Sequence, residues 1–165
     1  MLNPKFPCGP GHTLRNFLRS ILLVLALPLS ASILAEAPDD ADLAAAVEKA
    51  RATLPHFWNT LANPTANQES FMIKVRIVDA SATEDFWCGR IHKEAELVRC
   101  TIANEPKKVQ SVSFGQEISP KSTQIVDWMY RDNGYIHGNY TMRALIKRMP
   151  SEKAEFYRSM LADPE

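Results

Sequence analysis

The carboxyl-terminal third of the chain combines aromatic, acidic and basic side chains that could form a binding site. Asp127, Trp128 and Tyr130 lie in one apolar segment, and four further candidates follow, namely His137, Tyr140, Thr141 and Arg143. Aromatic rings beside a few polar groups can line a ligand pocket. A helix over 142–149, capped by Thr141, would offer main-chain N–H groups to an anion, and the Arg143 guanidinium could bind the same anion. The alternative is structural, with the rings in the core and Asp127 paired with Arg143 or capping the backbone.

Asp127, His137 and Glu105 are the candidates for acid–base catalysis, provided that the fold brings them into one cleft within about 10 Å of one another. Ser111–Gly115 resembles a nucleophile elbow but lacks its first glycine. Histidine and cysteine spacings predict no metal site, and the glycines form no phosphate-binding loop. We therefore expect no catalytic residue, metal or cofactor, with a hydrolase of envelope material as the alternative.

The first 35 residues have the order of a secretory signal peptide. Lys5, Arg15 and Arg19 precede the apolar run 21–29, and small residues follow up to Ala35. We expect cleavage after Ala35, which removes Cys8 and leaves a chain of about 130 residues in the periplasm or outside the cell. An uncleaved membrane anchor is the alternative, although the uncharged stretch is shorter than the roughly 20 residues of a spanning helix.

The mature chain is slightly acidic, because all charges of the leader are positive. It keeps 16 basic and 19 acidic residues, a net charge of about −3. This balance argues against nucleic acid or an anionic membrane as a partner.

Two cysteines remain after the leader, and an even pair in an oxidising compartment favours a disulfide. With Lys93-Glu94-Ala95 as the turn of a hairpin, His92 lies opposite Glu96 and Cys88 lies opposite Cys100. Cross-strand neighbours are close enough to bond. Two buried free thiols, or a shifted register that places the cysteines on a diagonal, are the alternatives.

Hydrophobic periodicity predicts an α+β protein, in which an N-terminal helix packs on a small twisted antiparallel sheet of about five strands. Such a sheet could curl into a partly open barrel, and short helices follow it. The helix and linker occupy 36–67, with Pro55 as a kink or break, and the sheet domain occupies 68–165. Predicted strands cover 71–80, 84–92, 96–102, 109–114, 117–119 and 125–130, and predicted helices cover 38–61, 142–149 and a segment after Pro150.

Several ordered motifs resemble those of one family. They are Ala50–Leu54, Asn104-Glu105-Pro106 after Cys100, Val112–Gly115, Val126–Tyr130 and Gly138-Asn-Tyr140-Thr141-x-Arg143. Together they are similar to the YegJ-like family of bacterial proteins, a domain of unknown function whose members often have a signal peptide. Gln116, where relatives commonly have Asp, and the cysteine pair depart from the family pattern. The resemblance implies a fold and an envelope setting, and it implies no activity.

We therefore expect an exported, non-enzymatic envelope protein that binds a protein or small ligand through its sheet and the 127–143 region. A periplasmic hydrolase is the alternative, and a toxin-neutralising, immunity-like protein is a special case of the binding function. Substrate, ligand and oligomeric state are not predicted.

Overall fold

The computed structural model describes residues 38–163, so the predicted signal peptide lies outside the described residues. The described residues fall in one compact unit, which spans Ala35–Glu165. The strands are β1 (Gln68–Val78), β2 (Thr83–Glu94), β3 (Leu97–Ile102), β4 (Glu117–Ile118), β5 (Ile125–Asp132) and β6 (Tyr135–Gly138). The helices are α1 (Pro38–Ala62), α2 (Tyr140–Ile146) and α3 (Ser151–Met160). None of these helices is long and apolar enough to span a membrane.

The six strands form one open antiparallel sheet in the order β4-β3-β2-β1-β5-β6. The α+β prediction is confirmed, with six strands where about five were predicted, and the sheet is open and does not curl into a partly open barrel. The sequence prediction missed β6. Asn133 and Gly134 have φ of 49° and 85°, so they turn the chain back and place Tyr135 opposite Asp132.

Alternation in β1 separates two faces of the sheet. Ile73 and Val75 are fully buried and Ile77 is buried, as their spacing predicted. We call their side of the sheet the inner face, and α1 packs on it through Ala46, Ala50 and Phe57. The opposite, outer face holds Lys74 and Arg76. Helix α1 continues through Pro55, which is exposed, instead of ending there.

The disulfide between Cys88 and Cys100 is confirmed, with 5.6 Å between the Cα atoms, although the predicted register is wrong. The turn is Ala95-Glu96, and a bulge lies between Gly89 and His92. Cys88 therefore lies opposite Ile102 and reaches Cys100 on a diagonal. The predicted turn begins two residues before the actual one, and the bulge inserts an extra residue in β2, so counting outward from the predicted turn gave the wrong partner.

The predicted strand over 109–114 is wrong, because side chains occupy its main-chain N–H groups. Glu84 accepts the N–H groups of Lys107, Lys108 and Val109, at 2.9–3.2 Å. Asp79 accepts those of Gln110 and Ser111, at 2.7 and 3.0 Å. These two carboxylates fix the segment as an ordered loop, so it does not pair with a neighbouring strand.

Helix α2 begins at Tyr140, two residues before the predicted start. Asn139 is its N-cap residue in the left-handed conformation, with φ of 51°, and Thr141 lies inside the helix. The predicted last helix is confirmed as α3, with Ala154 as its buried residue.

Candidate functional site

Asp127 is fully buried at the junction of β5 and α2. Its Oδ1 accepts the N–H groups of Trp128 and Tyr140, at 2.9 and 3.1 Å. Its Oδ2 accepts both the N–H and the hydroxyl of Thr141, at 2.8 and 2.6 Å. A helix N-terminus leaves such N–H groups unpaired, and a side-chain acceptor normally satisfies them. Asp127 therefore performs the capping role for α2 from a neighbouring strand.

Lys74 completes this polar cluster from β1, directly opposite Asp127 in the sheet register. Its Nζ lies 3.9 Å from Asp127 Oδ2 and donates to the Thr141 hydroxyl at 2.5 Å. The same Nζ lies 4.4 Å from the centre of the Trp87 ring, at cation–π distance. Burial lowers the pKa of Lys74, and the neighbouring carboxylates of Asp127 and Asp85 partly oppose this effect.

The sequence prediction missed Lys74. Alternation placed its side chain on the polar side of β1, but its partners Asp127 and Thr141 lie more than 50 positions further along the chain.

The aromatic candidates lie on the inner face as part of the core. Trp128 is 1% exposed, and its indole N–H donates to the carbonyl of Ala50 in α1 at 3.0 Å. The Tyr130 ring stacks against His137 at 4.9 Å, and its hydroxyl lies 3.2 Å from His56 Nε2. Tyr140 meets Trp128 edge-on, with ring centres 5.7 Å apart. These contacts anchor α1 and α2 to the sheet.

Arg143 binds main-chain carbonyl groups. Its Nε donates to Gly138 at 2.8 Å, and Nη2 donates to Ala162 at 3.0 Å. The guanidinium that the sequence assigned to an anion therefore bonds within the fold, and the first N–H groups of α2, those of Tyr140 and Thr141, donate to Asp127. Arg143 thus connects β6 and α2 to the segment after α3.

Two of the candidates also line surface cavities. His137 borders a cavity of about 590 Å³ with Asp132, Tyr135 and the segment 161–163. Arg143 borders another of about 470 Å³ with Lys147 and Arg158.

The turn motif Asn104-Glu105-Pro106 holds the end of the β2–β3 hairpin. Asn104 Oδ1 accepts the N–H of Trp87, and the N–H of Ala103 donates to the carbonyl of Trp87, both at 2.8 Å. Glu105 is exposed.

The three candidates for acid–base catalysis are not brought together. Asp127, Lys74 and Trp87 lie side by side on β5, β1 and β2, and Ala103, just past the end of β3, donates to Trp87. Three strand spacings, about 14 Å, therefore separate β5 from the loop that holds Glu105. His137 stacks on the inner face, whereas Asp127 lies on the outer side of β5. Among the described residues, no three His, Cys, Asp or Glu side chains form a group suited to a metal ion.

These features define a class: a small α+β protein with one open sheet, in which a buried carboxylate caps a helix. A family model described as "Uncharacterized protein conserved in bacteria (DUF2314)" matches residues 40–162. The chain belongs to this family, which confirms the YegJ-like resemblance.

Two curated proteins are similar to this chain, and the first supports the assignment. The chain is 29% identical to the "Uncharacterized protein YegJ" of Escherichia coli K12, over 87% of this chain and 99% of that protein. It is 26% identical to a "Putative ankyrin repeat protein" of Neisseria meningitidis serogroup B, over 64% of this chain and 45% of that protein. No solved structure matches the chain significantly.

Proposed function

We propose that this chain is exported to the bacterial envelope and binds a partner protein there without catalysing a reaction. The observation that carries this proposal is the saturation of the Asp127 carboxylate, which accepts four hydrogen bonds from the fold itself. A general base must reach the proton that it removes from a substrate. A fully buried acceptor with these bonds is suited to holding a fold together.

Two features support export. The basic, apolar and small-residue order of the first 35 positions is that of a cleaved signal peptide. The Cys88–Cys100 disulfide is fully buried, and structural disulfides form and persist in oxidising compartments such as the periplasm.

The meningococcal relative supports a binding function. Its name refers to ankyrin repeats, and this chain matches 45% of its length, which leaves room for a second module. Ankyrin repeats stack into extended concave binding surfaces. A family domain combined with such repeats is consistent with a role in protein–protein association.

N-terminal sequencing of the protein from a periplasmic fraction tests the export step. We expect a chain that begins at Glu36, after cleavage behind Ala35. Recovery of the full-length chain, starting at Met1, in the membrane fraction would show an anchor and contradict the cleavage.

Chemical cross-linking of the tagged wild-type chain in intact cells tests the binding step. We expect one discrete envelope adduct that survives in an Asp127→Asn variant shown by circular dichroism to be folded. Absence of any adduct, together with hydrolysis of envelope material by the wild type alone, would favour the hydrolase instead.

A further inference from the structure

The sheet divides at one end. Strands β1 and β2 pair from Val78–Thr83 as far as Ile73–Cys88. Beyond that point, the start of β1 pairs with β5, and Gly89–Glu94 of β2 pairs with β3. We call the gap between residues 69–72 of β1 and residues 90–94 of β2 the fork. In the described part of the chain, no strand pairs with the edge of β1 or the edge of β2 that faces this gap.

Two backbone irregularities build the fork. Each arm contains a register shift against its outer neighbour, one between Glu69 and Met72 and the other between Gly89 and His92. Ser70 and Arg90 lie within these shifts with φ of 55° and 48°, a conformation that non-glycine residues rarely adopt. A bulge bends its strand and increases the local twist. The separation of the arms is therefore set by the backbone of both strands.

The β2 arm presents free main-chain groups to the fork. Because the turn has two residues, Glu94 and Leu97 form a hydrogen-bonded pair, and the next pair, Lys93–Val98, is not hydrogen-bonded. The N–H and C=O of Lys93 thus point away from β3. An exposed edge of this kind is a template for another strand.

A cavity of about 420 Å³ adjoins this edge on the inner face. The end of α1 contributes Trp58, Leu61 and Ala62 to its wall, and β2 contributes Ile91 and its neighbours up to Glu94. Trp58, Leu61 and Ile91 are only partly buried against the core. A large apolar side chain from an added strand would cover these three residues.

The charges around the edge favour an acidic occupant. Lys93 forms no salt bridge with any described residue, whereas Glu94 lies 3.8 Å from Arg99. The Lys93 ammonium lies 5.8 Å from the centre of the Trp58 ring, at the entrance of the cavity. A carboxylate beside an apolar anchor would meet the Lys93 ammonium.

We propose that the fork binds an extended acidic segment of a partner protein, which adds as a strand to the free edge of β2 and inserts one bulky apolar side chain into the cavity. This mode of recognition takes affinity from main-chain hydrogen bonds and specificity from side-chain pockets. The proposal rests on the binding function and names the class of partner and the surface that it uses.

A random nine-residue peptide library displayed on phage, selected on the oxidised mature chain, is the probe. We expect enrichment of acidic peptides with a central aromatic or large aliphatic residue. In nitrogen-15 NMR spectra, the enriched peptide should shift the amide signals of Ile91 and Lys93 most strongly. No enrichment above background, or shifts centred on the basic cavity near Arg158, would overturn the proposal.

Lys93→Pro is the decisive variant, because it removes a fork-facing N–H while leaving the bonds between β2 and β3. We expect it to weaken peptide binding about tenfold. Lys93→Ala, the matched control, keeps that N–H and should weaken binding only about twofold to threefold. Equal binding by Lys93→Pro and wild type would refute pairing at this edge.

A second probe does not depend on the variant folding. The enriched peptide is synthesised with N-methyl groups at alternate positions, in the two possible phases. One phase should abolish binding to wild type and the other should preserve it, since a β-strand pairs through alternate residues. Equal effects of the two phases would contradict strand addition.

Cross-linking in cells separates this proposal from the binding function. An adduct formed equally by wild type and Lys93→Pro would leave the binding function in place and overturn the proposal that the fork is the binding surface. A concentration-dependent dimer of wild type that Lys93→Pro abolishes would assign the edge to a second copy of this chain and overturn the partner proposal.

Discussion

Asp127 accepts both the main-chain N–H and the hydroxyl of Thr141, at 2.8 and 2.6 Å, so one carboxylate oxygen joins β5 to the first turn of α2. The two residues lie 14 positions apart in the chain. These bonds give the aspartate at position 127 a structural role, because they attach the first turn of α2 to the sheet.

Removal of the Asp127 carboxylate should strongly destabilise the protein. Asp127→Ala leaves three N–H groups without their buried acceptor and the Lys74 ammonium without its neighbouring negative charge, so we expect a loss of about 3–5 kcal/mol in the free energy of unfolding. Urea denaturation followed by circular dichroism measures this change.

Asp85→Ala is the matched control, because Asp85 is a partly exposed carboxylate paired with Arg76 on the same face. It should cost about 1 kcal/mol or less. Similar losses for the two variants would contradict a special role for Asp127.

Lys74 should make the stability of the protein depend on alkaline pH. Its folded-state pKa lies below the ordinary value of 10.5 because burial disfavours the charged amine. Between these two values the unfolded chain binds more protons, so the contribution of Lys74 to stability rises with pH. The unfolding free energy of wild type minus that of Lys74→Met should therefore become more positive as the pH rises towards 10.5. A pH-independent difference would show that the amine has the same pKa in both states.

The loop over 103–116 should loosen in acid. Hydrogen bonds hold the pKa of Asp79 well below its ordinary value of 3.8, the Ser81 hydroxyl being the largest contributor. The N–H of Lys108 and its neighbours lower the pKa of Glu84 from 4.5. The stabilisation is thus present above these ordinary values and is lost as the pH falls through the folded-state values.

Amide hydrogen exchange at about pH 6 tests this arrangement residue by residue. Glu84→Gln should accelerate exchange at Lys108, and Asp79→Asn should accelerate it at Gln110. Glu105→Gln, at an exposed position in the same loop, should change neither. Uniform acceleration by all three variants would indicate that general loss of charge, rather than these bonds, controls the loop.

Gly138 is required by a close approach between β6 and Trp128. Its φ is 72°, and a Cβ atom there would lie 2.4 Å from the carbonyl oxygen of Trp128. Gly138→Ala should therefore cost about 2–4 kcal/mol. Gly134 has φ of 85° but open space around it, so Gly134→Ala should cost only about 1 kcal/mol. Thermal unfolding of the two variants separates the cost of the steric contact at Gly138 from the cost of the left-handed backbone conformation that both glycines share. Equal losses of stability would show that the structure relaxes and relieves the contact.

The disulfide should contribute about 2–3 kcal/mol, because it closes a short loop between cysteines 12 positions apart. Reduction of a wild-type chain comprising residues 36–165 should lower its urea midpoint accordingly. A Cys88→Ala/Cys100→Ala double variant should start at a lower midpoint and show no response to reductant. Two titratable thiols in the untreated protein would contradict the bond.

The sequence by itself determined the elements whose signals are local. Alternation identified β1, helical spacing identified α1, and the parity of the cysteines predicted their bond. The motifs around Asp127 and Thr141 pointed to the family. These signals depend on residues a few positions apart, so periodicity and composition are enough to detect them.

Only the tertiary structure decided what these residues contact. Lys74 lies beside Asp127 on the neighbouring strand. Asp79 and Glu84 bind the segment that was predicted as a strand and hold it as a loop. Two bulges open the fork. Each of these outcomes depends on a hydrogen bond or a register shift between segments far apart in the chain. Local propensity contains no information about such partners, because an acceptor is equally satisfied by any donor that the fold brings within reach.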